Sequence, residues 1–140
     1  MVVQKYIDDA FLVDGLKFDL RIYVMVTGIN EGEIHAFLAD EGLARFCTVK
    51  YEKPNKDNMK KAFMHLTNYS LNKTSDEFIK EPENILEPNG ASKRTLAALW
   101  KQVANEYGDK VVEDMKESIK TTCAGTLSMF INMIQHGANP

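Results

Sequence analysis

The sequence predicts an α+β fold in which an antiparallel sheet is followed by two helices. Three observations lead there. The first half alternates apolar and polar residues at strand period, the last third repeats apolar residues every three or four positions, and the two patterns follow one another rather than interleaving. At 140 residues, 44% hydrophobic and 26% charged, the chain has the size and composition of one soluble domain with one core.

In order along the chain, Val2 to Ile7 has the composition of a short strand. Because it starts almost at Met1, it suggests a domain cut at its start. Asp14-Gly15 marks a tight turn. After it, Lys17 to Val26 alternates as a strand, and Gly28 to Gly32 connects it hairpin-fashion to Glu33 through Ala39. A third strand is expected from Leu43 to Val49. The polar, lysine-rich stretch between Tyr51 and Lys61 reads as an exposed loop, and Thr74 to Ala91, with Pro82, Pro88 and Asn89-Gly90, as a second long one. Ser92 is the expected N-cap of a helix through Tyr107. Gly108-Asp109 then closes it and caps a second helix running to about His136. On that second helix Val112, Met115, Ile119, Cys123, Thr126, Phe130 and Met133 form one stripe, expected to face a core. Its Met129 to Ile134 end is read as core in preference to a partner surface. The chain thus divides into a β-rich part (2–50), a loop part (51–91) and a helical part (92–137).

A net charge of −3 and a pI near 5.6 argue against a general nucleic-acid binder, which needs a basic face. Cys47 and Cys123 lie far apart in apolar settings, with neither metal nor disulfide spacing, and are expected to be buried thiols. There is no leader pattern and no apolar run of bilayer-spanning length, so the chain reads as cytosolic, without a membrane partner. The sequons at Asn68 and Asn72 are then chance matches.

Strand geometry sends Phe18, Leu20, Ile22, Val24 and Val26 to one face and Lys17, Asp19 and Arg21 to the other. Three charges in a row on a central strand need partners or a ligand. Alternation alone is compatible with a plain ion-pair ladder on a half-solvated sheet, and equally with a strand that aims cations at phosphate and a carboxylate at a ribose hydroxyl or a lysine. Arginine suits the second task because its planar, permanently charged fork binds phosphate oxygens in pairs. Arg45 follows on a later strand. His65, Thr67 and Asn68 cluster hydrogen-bonding side chains between apolar residues. Taken alone, His65 would be a structural histidine and Arg45 a surface charge.

Taken together, Gln4-Lys5-Tyr6-Ile7, Lys17-Phe18-Asp19-Leu20-Arg21, Glu41-Gly42-Leu43-Ala44-Arg45 and His65-Leu66-Thr67-Asn68, in this order, resemble the tubulin tyrosine ligase and ligase-like family. The resemblance is close over residues 2 to 73 and one of layout beyond. It implies an ATP-grasp-like fold in which Gln4, Lys5, Tyr6 and Ile7 form the hinge that meets adenine. Lys17 and Asp19 would lie along the nucleotide, Arg21 and Arg45 would face its terminal phosphates, and His65, Thr67 and Asn68 would line the ribose and phosphate side. The implied reaction is an ATP-dependent ligation: a carboxylate is activated as an acyl phosphate and captured by the amine of an incoming amino acid, with charge neutralised by arginines and Mg2+.

The family's Mg2+ ligands, an acidic residue after the long helix and a Glu-x-Asn pair, would lie beyond Pro140. Its phosphate-covering small lobe would precede Val2. The resemblance therefore implies a domain truncated at both ends and inactive alone. Asp109, Glu113 and Asp114 are read as acids complementing a helix dipole, not as substitute ligands. Tyr69-Ser70-Leu71-Asn72-Lys73 is similar to the glutamylating branch, which implies free glutamate as co-substrate and acidic tails of tubulin in microtubules as acceptor. A monomer working in the cytoplasm at the cytoskeleton, with cilium or basal body as a further site, is expected. Lys50, Lys53, Lys56, Lys60 and Lys61 are charged to attract such a tail, although a solvated loop fits them nearly as well. A catalytically dead microtubule-binding relative, and a ligase with another acceptor or with glycine or tyrosine as the amino acid, are the alternatives.

Overall fold

The computed structural model describes residues 3–30 and 33–137, with side chains over 3–28 and 33–130. Strand β1 (Leu12–Val13) turns through Asp14 and Gly15 into β2 (Leu16–Asn30). Both turn residues take positive φ, 57° and 72°, the backbone that a two-residue hairpin requires and that an Asp-Gly pair tolerates. Strand β3 (Glu33–Phe46) pairs antiparallel with β2, and β4 (Lys93–Thr95) adds to the far side of β3, so the sheet order is β1-β2-β3-β4. Two short helices, α1 (Ala62–His65) and α2 (Tyr69–Asn72), lie in the loop region. Helices α3 (Leu96–Tyr107) and α4 (Asp109–Gly137) complete the α+β order that the sequence predicts.

The β2–β3 hairpin carries two irregularities. Between the pairs Ile22↔Gly42 and Val24↔Leu38, β3 carries extra residues, and between Val26↔Ala36 and Gly28↔His35 the extra residue is Thr27 on β2. Below the first irregularity Val13, Ala44, Phe46, Leu96, Leu99, Val103 and Val112 form the core, and Phe18, Leu20 and Ile22 pack against it. Above it Val24 and Val26 keep the same face but are only partly covered. A groove of about 700 Å³, lined among others by Val24, Ala36, Leu38, Ala124 and Leu127, separates them from α4.

Several expectations are corrected. Residues 3–7 lie exposed in irregular backbone, not in a strand; Val2 is outside the described residues. The expected strands 33–39 and 43–49 are one strand, β3, that ends at Phe46, because a bulged strand can keep its ladder where the alternation of side chains is interrupted. Ser92 does not cap α3. Lys93–Thr95 instead extends the sheet, and Thr95 is the cap, its Oγ1 accepting from the Ala98 amide at 3.1 Å. Ser92 is buried, and its Oγ accepts from the Ile79 amide at 3.1 Å. Gly108, at φ 91°, ends α3 as expected. The α4 stripe is core only at its start. Val112 is buried and Met115 packs against it, but Cys123 is half-buried and Thr126, Met129 and Phe130 are exposed, since the sheet has drawn away across the groove. Side chains 131–134 of the Met-rich end lie outside the described residues.

One charged residue belongs to the core. Arg94 faces inward opposite Ala44, fully buried, with its guanidinium 3.9 Å from the Phe46 ring centroid. It donates to Ala91 O at 2.9 Å and to Gln102 Oε1 at 2.5 Å. Its Nη2 stands 2.8 Å from Asp14 Oδ2, close enough for the charges to pair though off the axis of a hydrogen bond. Burial lowers its pKa, and Asp14 acts in the opposite direction. This links the β1–β2 turn, β4 and α3.

Candidate functional site

Opposite the core, the sheet presents its charged face. Asp19 pairs directly with Arg45 on β3, and Arg45 with Lys93 on β4, so these three side chains form one row across the sheet. Directly opposed residues stand about 5 Å apart at Cα, which puts roughly 10 Å between the ends of the row. Arg45 grips Asp19 with two prongs: Nε donates to Oδ1 at 2.9 Å and Nη2 to Oδ2. That hydrogen bonding raises the Arg45 pKa further. Lys93 Nζ pairs with Glu81 Oε1 at 2.6 Å, reaching into the 74–91 loop, and lies 5.3 Å from the Tyr69 ring centroid. Arg21, two residues beyond Asp19 on the same face, is exposed, sits over its neighbour Tyr23 at 5.5 Å and makes no ion pair among the described residues.

One edge of this face is closed by side chains from three segments. Lys17 Nζ donates to Tyr6 Oη at 2.9 Å and to His65 O at 3.1 Å. His65 Nε2 lies 3.1 Å from Asn58 O, and a carbonyl can only accept, so Nε2 carries a proton. In the neutral ring Nδ1 is then an acceptor, and Tyr6 Oη donates to it at 3.1 Å. Tyr6 thus accepts from an ammonium and donates to an imidazole. Burial raises its pKa. The Lys17 ammonium also lies 4.1 Å from the Tyr6 ring centroid, a cation–π contact.

Asn72, fully buried, fixes the segment after His65. Its Oδ1 accepts from Thr48 N at 3.1 Å and Thr48 Oγ1 at 3.2 Å, while Nδ2 donates to Leu66 O at 2.7 Å and Asn68 O at 3.1 Å. Thr67 is half-buried and Asn68 exposed; neither side chain hydrogen-bonds to another site residue among those described.

Of the residues singled out in the sequence, Tyr6, Lys17 and His65 meet in one network, Asp19 and Arg45 in one pair, and Arg21 shares their face. Gln4, Lys5 and Ile7 stand exposed, with no side-chain hydrogen bond among the described residues. Sequence reasoning missed Asn58 and Lys93. Asn58 sits in a polar loop, where nothing distinguishes an anchor from a solvated amide. Lys93 precedes a helix, where a three-residue strand leaves too short a period to read.

A match to the model of the tubulin-tyrosine ligase family extends over residues 1–139. The chain belongs to this family. Among curated relatives of the ligase family, it is 49% identical over 136 residues to tubulin polyglutamylase TTLL6 of Mus musculus, a span covering 97% of this chain and 15% of that protein. It is 39% identical over 124 residues to tubulin polyglutamylase ttll6 of Danio rerio, covering 87% and 15%. With tubulin polyglutamylase TTLL11 of Mus musculus the identity is 41% over 128 residues, covering 89% and 17%. The chain therefore spans less than a fifth of the length of these relatives.

Family membership implies ATP and Mg2+. Arg21 on the charged face makes no ion pair among the described residues, which leaves a cation there for an anionic group. For the metal, no group of three or more His, Cys, Asp and Glu among the described residues could hold an ion by itself. No helix among them is long and apolar enough to cross a membrane.

Proposed function

We propose that this chain is the nucleotide-binding part of an ATP-dependent ligase that joins glutamate to a glutamate side chain of tubulin. The observation that carries the reading is the cationic sheet face, with Lys17, Arg21 and Arg45 around Asp19. The relatives' names supply the amino acid and the protein acceptor. Bound ATP would supply the phosphoryl group that activates the acceptor carboxylate.

The chain's own residues bind and orient. The exposed 4–7 segment offers backbone and side-chain groups to the adenine, and Lys17 and Asp19 lie along the nucleotide. His65, Thr67 and Asn68 serve the ribose and phosphate side. Arg21 and Arg45 neutralise charge on the transferring group, a task in which fixed cations outperform reorganising water. The lysines of loop 50–61 draw an acidic tail toward the site, at the microtubule. Asn58 holds this loop in shape: its Oδ1 accepts from Asn55 N at 2.8 Å and its Nδ2 donates to Lys53 O at 3.1 Å.

The test is Arg45→Ala in the full-length protein, supplied with ATP, Mg2+, microtubules and a mixture of glutamate, glycine and tyrosine. Intact tubulin masses are then read. The parent should add glutamate increments and the variant none; normal turnover by the variant would remove Arg45 from the machinery and sink the assignment.

A further inference from the structure

Residues 3–9 have no strand or helix of their own, and among the described residues no backbone–backbone hydrogen bond joins them to the rest of the chain. Side chains hold them instead. Tyr6 is tied through its hydroxyl to Lys17 and His65. Beyond it, one hydrogen bond among the described residues reaches the backbone of the segment: Tyr51 Oη donates to Asp8 O at 2.8 Å. The ion pair of Lys53 with Asp9, at 3.8 Å, is long and exposed on both sides, so solvent and salt leave it little strength. Tyr51 itself is firmly placed. Its N–H donates to Gly15 O at 2.9 Å in the β1–β2 turn, and its ring meets the buried His65 ring edge-on with centroids 5.8 Å apart. A hydroxyl on a fixed base therefore grips the carbonyl of a segment that has no ladder to hold it.

From this we infer that Tyr51 is a positioning residue for base selection: by holding the Asp8 carbonyl it fixes the path of residues 4–7, whose peptide groups then recognise the amine-bearing edge of a purine. The inference rests on the proposed reading of 4–7 as the segment that meets adenine. Tyr51 touches no ligand and acts through the main chain. A segment that is free before binding must lose conformational freedom on binding, and a bond made in advance removes part of that cost from the binding step. Base and phosphate recognition respond differently to its loss. A hydrogen bond to an exocyclic amine weakens steeply as its angle departs from linear, whereas attraction between the Lys17 and Arg21 cations and a polyphosphate falls only gradually with distance. Loss of the Tyr51 hydroxyl should therefore blunt discrimination between bases and spare the grip on phosphate.

The experiment compares the full-length protein with its Tyr51→Phe variant. Tyr107→Phe serves as the control, since it removes a similar hydroxyl-to-carbonyl bond, to Leu12 O at 3.3 Å. Displacement of a fluorescent ATP analogue gives Kd for three ligands: ATP, purine riboside triphosphate, which lacks the exocyclic amine, and inorganic tripolyphosphate. Thermal melting and kcat at saturating ATP are read alongside. Tyr51→Phe keeps the ring against His65 and the bond to Gly15, so its melting transition should match the parent's. Its Kd for ATP should rise about three- to tenfold, as loss of one neutral hydrogen bond gives, and its preference for ATP over purine riboside triphosphate should shrink by the same factor. Tripolyphosphate binding and kcat should stay within about twofold of the parent, and Tyr107→Phe should leave the preference intact. The inference is overturned if Tyr51→Phe holds its ATP constant within about twofold of the parent, or weakens both nucleotides alike. It is also overturned if binding and melting fall together as for a merely structural hydroxyl, if Tyr107→Phe has the same effect, or if the parent does not distinguish the two nucleotides. Arg45→Ala runs in parallel: if it abolishes glutamate addition while the Tyr51→Phe constants are unmoved, only this inference falls, whereas turnover by Arg45→Ala rejects the ligase reading itself.

Discussion

Gly42, in the Glu41-Gly42-Leu43-Ala44-Arg45 segment, allows no side chain. A Cβ built there would stand 2.5 Å from the carbonyl oxygen of Arg21 and 2.7 Å from Leu96 Cδ1. Leu96 can change rotamer. The Arg21 carbonyl cannot, because it is backbone of β2 at the irregularity where Ile22 faces Gly42. Restoring a normal contact of about 3.5 Å requires β2 and β3 to separate by about 1 Å at this point. Overpacking of this kind costs about 1–3 kcal/mol, and the rigid obstacle puts Gly42→Ala near the top of that range. At about 2 °C per kcal/mol, the low end of the range because the full-length protein unfolds as a larger unit, the melting transition should fall by roughly 5 °C. The displaced strand carries Arg21, and Asp19–Arg45 is the pair three residues further along, so KM for ATP should rise as well. Differential scanning fluorimetry of the full-length protein, with initial rates at varied ATP, reads both. A transition within about 1 °C of the parent would show that the strands absorb a methyl group freely and refute the steric account.

Burial pushes the Cys47 thiol up to about 11 from an ordinary value near 9, so the folded protein favours the protonated form. Its stabilising contribution is complete below about pH 9 and is lost as pH rises toward 11; alkaline denaturation of Cys47→Ala should show a shallower pH dependence there. At pH 8 a maleimide should label half-buried Cys123 and leave Cys47 unmodified, a result that peptide mass mapping reads directly. Tyr6→Phe removes the group that joins Lys17 to His65, and titration with a fluorescent ATP analogue should show affinity about tenfold weaker with little loss of stability. Reversing the charges of Lys56, Lys60 and Lys61 to Glu should raise KM for microtubules several-fold and flatten its salt dependence, leaving KM for ATP in place; unaltered microtubule kinetics would favour a different acceptor.

The alternation of Lys17, Asp19 and Arg21 was enough to foresee a charged face, because one strand determines which of its own residues share a side. It was not enough to find their partners. Whether Asp19 meets Arg45 or solvent depends on the register of two strands with extra residues between Gly42 and Leu38, and no local pattern encodes that register. Two helices and the Gly108 break were legible because twelve or more residues repeat a period. The strand containing Lys93 has three residues and repeats none. Ser92 reads as a cap for a similar reason: a serine before an apolar run is the ordinary signal, and only the hydrogen bonds of β4 move the helix start to Leu96. The stripe on α4 meets a core only around Val112 and Met115, because periodicity states which residues share a side and not what lies across from them.

The two irregularities in the β2–β3 hairpin have a bearing on how this domain tolerates insertions and deletions. In a regular ladder, adding one residue to a strand inverts every side chain beyond it, exchanging the apolar and charged faces. Here the Lys17–Ile22 half of β2 is anchored at its start by β1 through the Asp14-Gly15 turn and held from Phe18 to Ile22 by β3, itself braced by β4. The half beyond Ile22 has already lost step with its partner. A one-residue change at Val24–Val26 would flip only the outer tip, and the same change between Lys17 and Arg21 would turn Asp19 away from Arg45. The hairpin therefore separates a segment free to drift in length across relatives from one whose length must stay fixed.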